Sequence, residues 1–163
     1  MSEKYKIFFS QKRGIEHKLD SAMLKKAVRT ALKAEKVDVP CEVSIYITDD
    51  NEIHDTNLEF RGVDKSTDVL SFPMQAFTAG YFCADDAEAD PDTGRIALGD
   101  IMISSEHAYA QGKEFGHSAD REAVYLTVHS VLHLLGYDHM TPEEAADMET
   151  RQAKALDELG ISR

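Results

Sequence analysis

Apolar and polar positions alternate along the chain with two different periods. Residues 5–9 (Tyr-Lys-Ile-Phe-Phe) read as a first strand. Residues 41–48 alternate strictly, with Val43, Ile45 and Ile47 on one side and Glu42, Ser44 and Tyr46 on the other. Over 20–36 the period changes to that of a helix. Met23, Ala27, Val28, Ala31 and Leu32 share one face, and Lys25, Lys26, Arg29 and Lys33 lie largely elsewhere. A short helix with an Asx-type start is predicted over 50–60. Residues 67–72, closed by Pro73, and 96–104 read as two further strands, the latter despite Gly99 and Asp100 in its middle. A helix over 118–135 carries Ala123, Val124, Val128, Val131, Leu132 and Leu135 as its stripe and Gly136 as its left-handed stop. The last helix opens with Thr141 as N-cap, Pro142 as first helical residue and Glu144 as reciprocal partner in a capping box, and it stops at Gly160. The pattern predicts an α+β fold: a roughly four-stranded mixed sheet packed by four to five helices, the C-terminal ones covering the sheet.

Composition narrows the class. The 163 residues show no internal repeat, so residues 1–163 are expected to form one domain. Apolar residues make up 42% and charged residues 29%, ordinary globular values that exclude a fibre or a disordered chain. No apolar stretch approaches the ~18 residues that span a bilayer. The N-terminus carries no segment of signal-peptide type. Cys41 and Cys83 form no CxxC pair, which argues against a disulfide framework. A soluble cytoplasmic protein with no membrane partner is expected.

The net charge of −12 opposes a nucleic-acid partner. It is unevenly placed, however: residues 1–36 carry a net +6 (ten basic, four acidic) and the remainder a net −18 (eight basic, twenty-six acidic). Lys25, Lys26, Arg29 and Lys33 are either a solvated helix face or a patch that holds RNA or a ribosomal surface. The acidic loop at 84–92 reads as a solvated connection between two strands, without the spacing of an EF-hand.

The chemistry concentrates at His129-Ser130-Val131-Leu132-His133-Leu134-Leu135-Gly136-Tyr137-Asp138-His139. Positions 129 and 133 are one helical turn apart, so both imidazoles project from one face and can share an ion. On a continuing helix His139 would lie ~9 Å farther along the axis than His133. Gly136 provides the escape, because it can end the helix and turn the chain back. Three neutral imidazoles with no obvious fourth ligand describe an open, catalytic-type zinc site with one Zn2+ per chain. The spacing also fits the zinc-binding helix of metzincin proteases. Those enzymes place a Glu general base directly after the first His, where this chain has Ser130. The metal frame is kept and the peptidase base is not.

Four blocks in order resemble the YbeY family of metal-dependent endoribonucleases, the ribosomal RNA maturation factors. They are Asn57-Leu58-Glu59-Phe60-Arg61-Gly62, Thr67-Asp68-Val69-Leu70-Ser71-Phe72-Pro73, Leu98-Gly99-Asp100-Ile101-Met102-Ile103-Ser104, and the segment from His129 to His139. The resemblance implies that His129, His133 and His139 are ligands of a zinc ion and that Arg61 acts in the RNA-binding or catalytic cleft. It implies cleavage of single-stranded RNA in small-subunit rRNA 3′-end maturation, with a role in ribosome quality control. The implied partners are single-stranded RNA or rRNA, the ribosome or its small subunit, and assembly factors.

Arg61, permanently charged with a planar donor fork, suits the non-bridging oxygens of a scissile phosphate. It could instead bridge nearby carboxylates such as Glu59 or Asp64. No general base is identifiable, and attack by a zinc hydroxide or by the substrate's own 2′-hydroxyl both fit. Asp138 reads as a turn former or as a partner to a ligand histidine, and His107 and His117 as surface or helix-end residues. Two other classes compete with the nuclease: a non-catalytic ribosome assembly or binding factor with a metal-stabilised fold, and a peptide or amide metallohydrolase, which Ser130 opposes.

Overall fold

The structure, a computed structural model, describes residues 4–77 and 89–161. Cys83 and most of the acidic loop at 84–92 lie outside the described residues. Nine elements follow in order: β1 (Tyr5–Gln11), α1 (Ser21–Ala34), β2 (Cys41–Thr48), α2 (Asp50–Arg61), β3 (Val69–Pro73), β4 (Ile96–Ser104), α3 (Ser105–Phe115), α4 (Ala119–Leu134) and α5 (Pro142–Glu158). The strands form one mixed sheet in the order β1-β2-β4-β3. β1, β2 and β4 are parallel, and β3 runs antiparallel to β4 at the edge.

The alternation read in β2 separates two faces of the sheet. Cys41, Val43, Ile45 and Ile47 are buried on one, while Glu42, Ser44 and Tyr46 on the other are only half-buried. α4 is buried nearly all round, including the polar Glu122, Thr127 and Ser130, and it packs on α1, α3, α5 and β3. This central helix carries His129 and His133. The buried stripe of α1 starts at Leu24 rather than at Met23, which packs only partly against the core.

The helix starts follow the local chemistry. The Asp49 carboxylate accepts from Glu52 N–H at 2.9 Å, and the Thr141 hydroxyl accepts from Glu144 N–H at 3.1 Å. The Glu144 carboxylate returns to Met140 N–H at 3.3 Å, one residue before the position a capping box uses. Helix α3 does not stand out in the hydrophobic pattern. Its buried face is Ser105, Ala108 and Gly112, small residues that let it lie close to the start of α4. A Cβ at Gly112 would sit 2.9 Å from the His117 carbonyl oxygen.

Gly99 explains how a glycine survives in a core strand. The register between β2 and β4 slips at Leu98, so β4 bulges and Gly99 takes φ 148°. A Cβ there would lie 2.3 Å from the Phe72 carbonyl oxygen and 2.8 Å from Leu134 Cδ2. The bulge therefore joins β3 and α4, the two elements that flank the site. Gly99→Ala is expected to destabilise the fold by about 3 kcal/mol, through backbone strain and overpacking together. Urea unfolding of the variant beside the parent measures it.

Candidate metal centre

The end of α4 turns as the glycine demands. Gly136, at φ 93°, donates to the His133 carbonyl at 3.0 Å, and Tyr137 N–H donates to the Leu132 carbonyl at 3.0 Å. These are the paired bonds of a Schellman stop. The chain reverses and brings His139 back beside the helix. One ligand-capable atom from each of His129, His133 and His139 lies within 4.8 Å of the others. The first two rings are half-buried and His139 is exposed.

The tautomers can be read from the partners. His133 Nδ1 lies 2.9 Å from the Tyr137 carbonyl, which only accepts, so Nδ1 carries the proton. His129 Nδ1 lies 3.2 Å from Gln152 Oε1, while the Gln152 amide N–H donates to the Tyr125 carbonyl at 3.3 Å. That second bond fixes the orientation of the amide, so His129 Nδ1 also carries a proton. The two Nε2 atoms then face each other at 3.0 Å as lone pairs. Two acceptors at that distance repel, and a shared cation removes the repulsion.

The surroundings favour a cation further. The last turn of α4 presents the negative end of its dipole, and Asp138 adds a carboxylate. Burial, followed by the neighbouring His129, pushes His133 down to about 4, so its imidazole stays neutral and able to coordinate through the physiological range. Three imidazole donors with an exposed side suit one zinc ion in an open site.

The turn is held from behind. Arg151 Nη1 donates to Glu35 at 2.9 Å, and its guanidinium lies 4.6 Å from the centre of the Tyr137 ring. Burial, and then Glu35 beside it, pushes the Tyr137 hydroxyl up to about 12, so it remains a donor. α1 and α5 thereby clamp the segment whose carbonyl orients His133.

Arg61, at the end of α2, reaches round the edge strand. Its Nη2 donates to the Ser71 carbonyl at 2.6 Å, and its guanidinium stands 5.9 Å from the Phe72 ring centre. Among the described residues it makes no ion pair with Glu59 or Asp64, and Asp64 instead pairs with His54 at 2.6 Å. The Ser71 hydroxyl bonds the Ser130 hydroxyl at 2.5 Å. Ser130, directly after His129, thus faces β3 and ties α4 to the strand that holds Arg61.

A cavity of about 730 Å³ joins these parts. The three histidines, Arg61, Asp68, Ser71 and Asp138 all contribute to its wall. Asp138 Oδ1 accepts from His139 N–H at 2.8 Å, a local turn bond rather than a contact with an imidazole. Asp68 Oδ1 accepts from Val69 N–H at 2.8 Å, and Oδ2 faces Gln111 at 3.4 Å. Gln111 continues to the fully buried Glu122 at 2.8 Å, and His117 meets the other carboxylate oxygen at 2.8 Å. His117 lies at a helix end, as read, but it is buried against Glu122 rather than on the surface. His107 bonds Asp50 beside the start of α3. Neither joins the cluster. None of Lys25, Lys26, Arg29 and Lys33 lines the cavity.

Gln152, Ser71 and the Tyr137 carbonyl escaped the sequence reading. Gln152 left one signal, a polar side chain at helical spacing from Met148 and Leu156 on the buried stripe of α5. Cys41 is buried, and burial pushes its thiol up to about 12, so it is an inert core residue.

Fold and site together define a metalloprotein with an open, histidine-lined centre beside a positioned arginine. The chain belongs to the YbeY family: the family model described as Endoribonuclease YbeY matches residues 6–160. It is 47% identical over 146 residues to the Endoribonuclease YbeY of Clostridium botulinum (strain 657 / Type Ba4), covering 86% of this chain and 88% of that one. It is 45% identical over 141 residues to the Endoribonuclease YbeY of Acetivibrio thermocellus, covering 86% and 87%. The solution structure of TM1509 from Thermotoga maritima shares the fold at 21% identity and a TM-score of 0.54, covering 95% of this chain and 91% of that one.

Two outcomes follow from the geometry. Gln152→Ala is expected to weaken zinc affinity about tenfold with the fold retained, because the orienting partner of His129 is lost. Competition against a chromophoric chelator measures it. The depressed His133 sets a pH dependence for the metal-free protein. Below 6.5 the unfolded chain takes a proton at this position that the folded chain refuses until about 4, so stability falls as pH drops across that window. Thermal midpoints of the metal-free parent should fall over this range more steeply than those of His133→Asn.

Proposed function

We propose that the chain is a zinc-dependent endoribonuclease that cleaves single-stranded RNA in ribosomal RNA processing, with His129, His133 and His139 as metal ligands on a metzincin-like helix. The observation that carries the reading is the pair of imidazole lone pairs facing each other at 3.0 Å, with His139 beside them, in a cavity that also holds Arg61. When bound, zinc supplies Lewis acidity toward phosphoryl oxygens and lowers the pKa of the water it holds.

The chain's own residues do the rest. Arg61 has one guanidinium N–H anchored on the Ser71 carbonyl, which leaves the remaining donors of its fork for the non-bridging oxygens of the scissile phosphate. Asp68 and Asp138 are carboxylates on the wall and can accept a proton there. Relatives carrying the name Endoribonuclease YbeY support the reaction class. Small-subunit rRNA 3′-end maturation, ribosome quality control, association with the small subunit and assembly factors, and a cytoplasmic location belong to the same reading, with residues 1–163 acting as one domain. No helix among the described residues is long and apolar enough to cross a membrane.

The test is cleavage of a labelled single-stranded RNA by the zinc-loaded protein. His129→Ala/His133→Ala should abolish it while circular dichroism shows the fold retained. Arg61→Ala should lower kcat on the order of 10²–10³-fold with metal still bound, the usual loss on removing one electrostatic donor. Equal cleavage by the parent and the double variant would sink the nuclease. Normal ribosome binding without cleavage by the parent would favour the assembly-factor reading.

A further inference from the structure

Beside Arg61 the protein leaves an aromatic side chain in water. Phe60, at the end of α2, is 66% exposed. It is not isolated: its ring meets Phe72 of β3 edge-on, with centroids 5.7 Å apart at 74°. Phe72 in turn carries the Arg61 guanidinium at 5.9 Å. Alternation along β3 explains the arrangement. Ser71 directs its side chain toward Ser130 of α4, whereas Phe72 directs its own to the opposite face, where α2 packs. Arg61 spans the strand edge between the two faces. An aromatic surface is therefore continuous, through one guanidinium, with the cavity that holds the histidines.

Exposing a phenylalanine forfeits burial that the fold could otherwise gain, and among the described residues the edge contact with Phe72 leaves most of the ring uncovered. A nucleotide does. A phosphate on Arg61 places the adjoining base within reach of a flat apolar ring, and every base offers a π-face. Charge points the same way. With a net charge of −12, long-range attraction for a polyanion is weak, and contacts that do not depend on counterion release gain weight. Stacking is one.

We propose that Phe60, backed by Phe72, is a stacking subsite for an unpaired nucleobase flanking the phosphate held by Arg61. This rests on the endoribonuclease reading and adds to it a structural basis for single-strand selectivity, since a paired base is unavailable to the ring.

The test separates binding from cleavage. Single-stranded oligoribonucleotides carrying 2-aminopurine at successive positions are titrated with the zinc-loaded parent, Phe60→Ala and Phe60→Trp. The parent and Phe60→Trp should quench one position, and Phe60→Ala should not. In cleavage assays Phe60→Ala should lose about tenfold in kcat/KM, most of it in KM, with Phe60→Trp restoring it. An abasic residue at the quenched position should cost the parent the same factor and cost Phe60→Ala nothing more. Because the ring is exposed, Phe60→Ala should keep the fold, which circular dichroism checks. Unchanged KM and quenching in Phe60→Ala would overturn the subsite while leaving the nuclease standing, and would assign the ring to a protein contact instead. Position-specific quenching without any cleavage by the parent would uphold the subsite and remove the nuclease.

Discussion

Two neutral imidazoles whose lone pairs point at each other across 3.0 Å form an arrangement that a shared cation relieves. Much of the surrounding structure holds that arrangement in place. The Tyr137 carbonyl and the Gln152 amide each take the proton of one ring and so force the other nitrogen of that ring toward the centre. Tyr137 is held by Glu35 and Arg151, and Gln152 by the carbonyl of Tyr125. Residues from α1, α4 and α5 thus converge on the orientation of two side chains. Those hydrogen bonds, and the burial around them, hold both rings in this pose.

Ser71 is the joint between this centre and the rest of the cleft. Its carbonyl receives Arg61 and its hydroxyl meets Ser130 on α4. The same contacts bear on substrate class. In β3 the even residues pair with β4, as the bond from Ser104 N–H to the Asp68 carbonyl and that from Met74 N–H to the Leu98 carbonyl show, so the odd residues face outward. Along that outer edge Val69 N–H is taken by the Asp68 carboxylate, the Ser71 carbonyl by Arg61, and Pro73 has no N–H. An extended peptide docking on this edge would find those groups occupied or missing. The three-histidine cluster therefore sits beside a strand ill suited to bind a peptide, which agrees with Ser130, not a carboxylate, following His129.

The parts of this structure that were legible in the sequence are those fixed by neighbours along the chain. His129 and His133 at one-turn spacing, the left-handed Gly136 and the return of His139 need only local geometry. The Asx-type start of α2 and the Thr141 cap are local too. What the sequence hid depends on contacts between distant segments. Gln152 reaches its histidine across 23 positions, and Glu122 finds Gln111 and His117 only once α3 and α4 pack. Helix α3 was hidden because its buried face is built from small residues that give no hydrophobic period. Whether Arg61 would meet carboxylates or a strand carbonyl could be decided only by the topology, which sets β3 antiparallel at the sheet edge beside the end of α2.

Charge and substrate can be reconciled by asking where selectivity comes from. A strongly basic groove would bind any phosphate backbone, paired or unpaired, and would discriminate little between them. This chain carries most of its basic excess in residues 1–36, and the four cations of α1 lie outside the cavity wall. Among the described residues that line the cleft the fixed positive charge is a single arginine, beside a cluster suited to one divalent ion. With so little nonspecific attraction, residence on RNA depends on groups that a duplex conceals. An acidic body is then compatible with a nuclease that must ignore the folded, paired bulk of a ribosomal RNA and act where the chain is single-stranded.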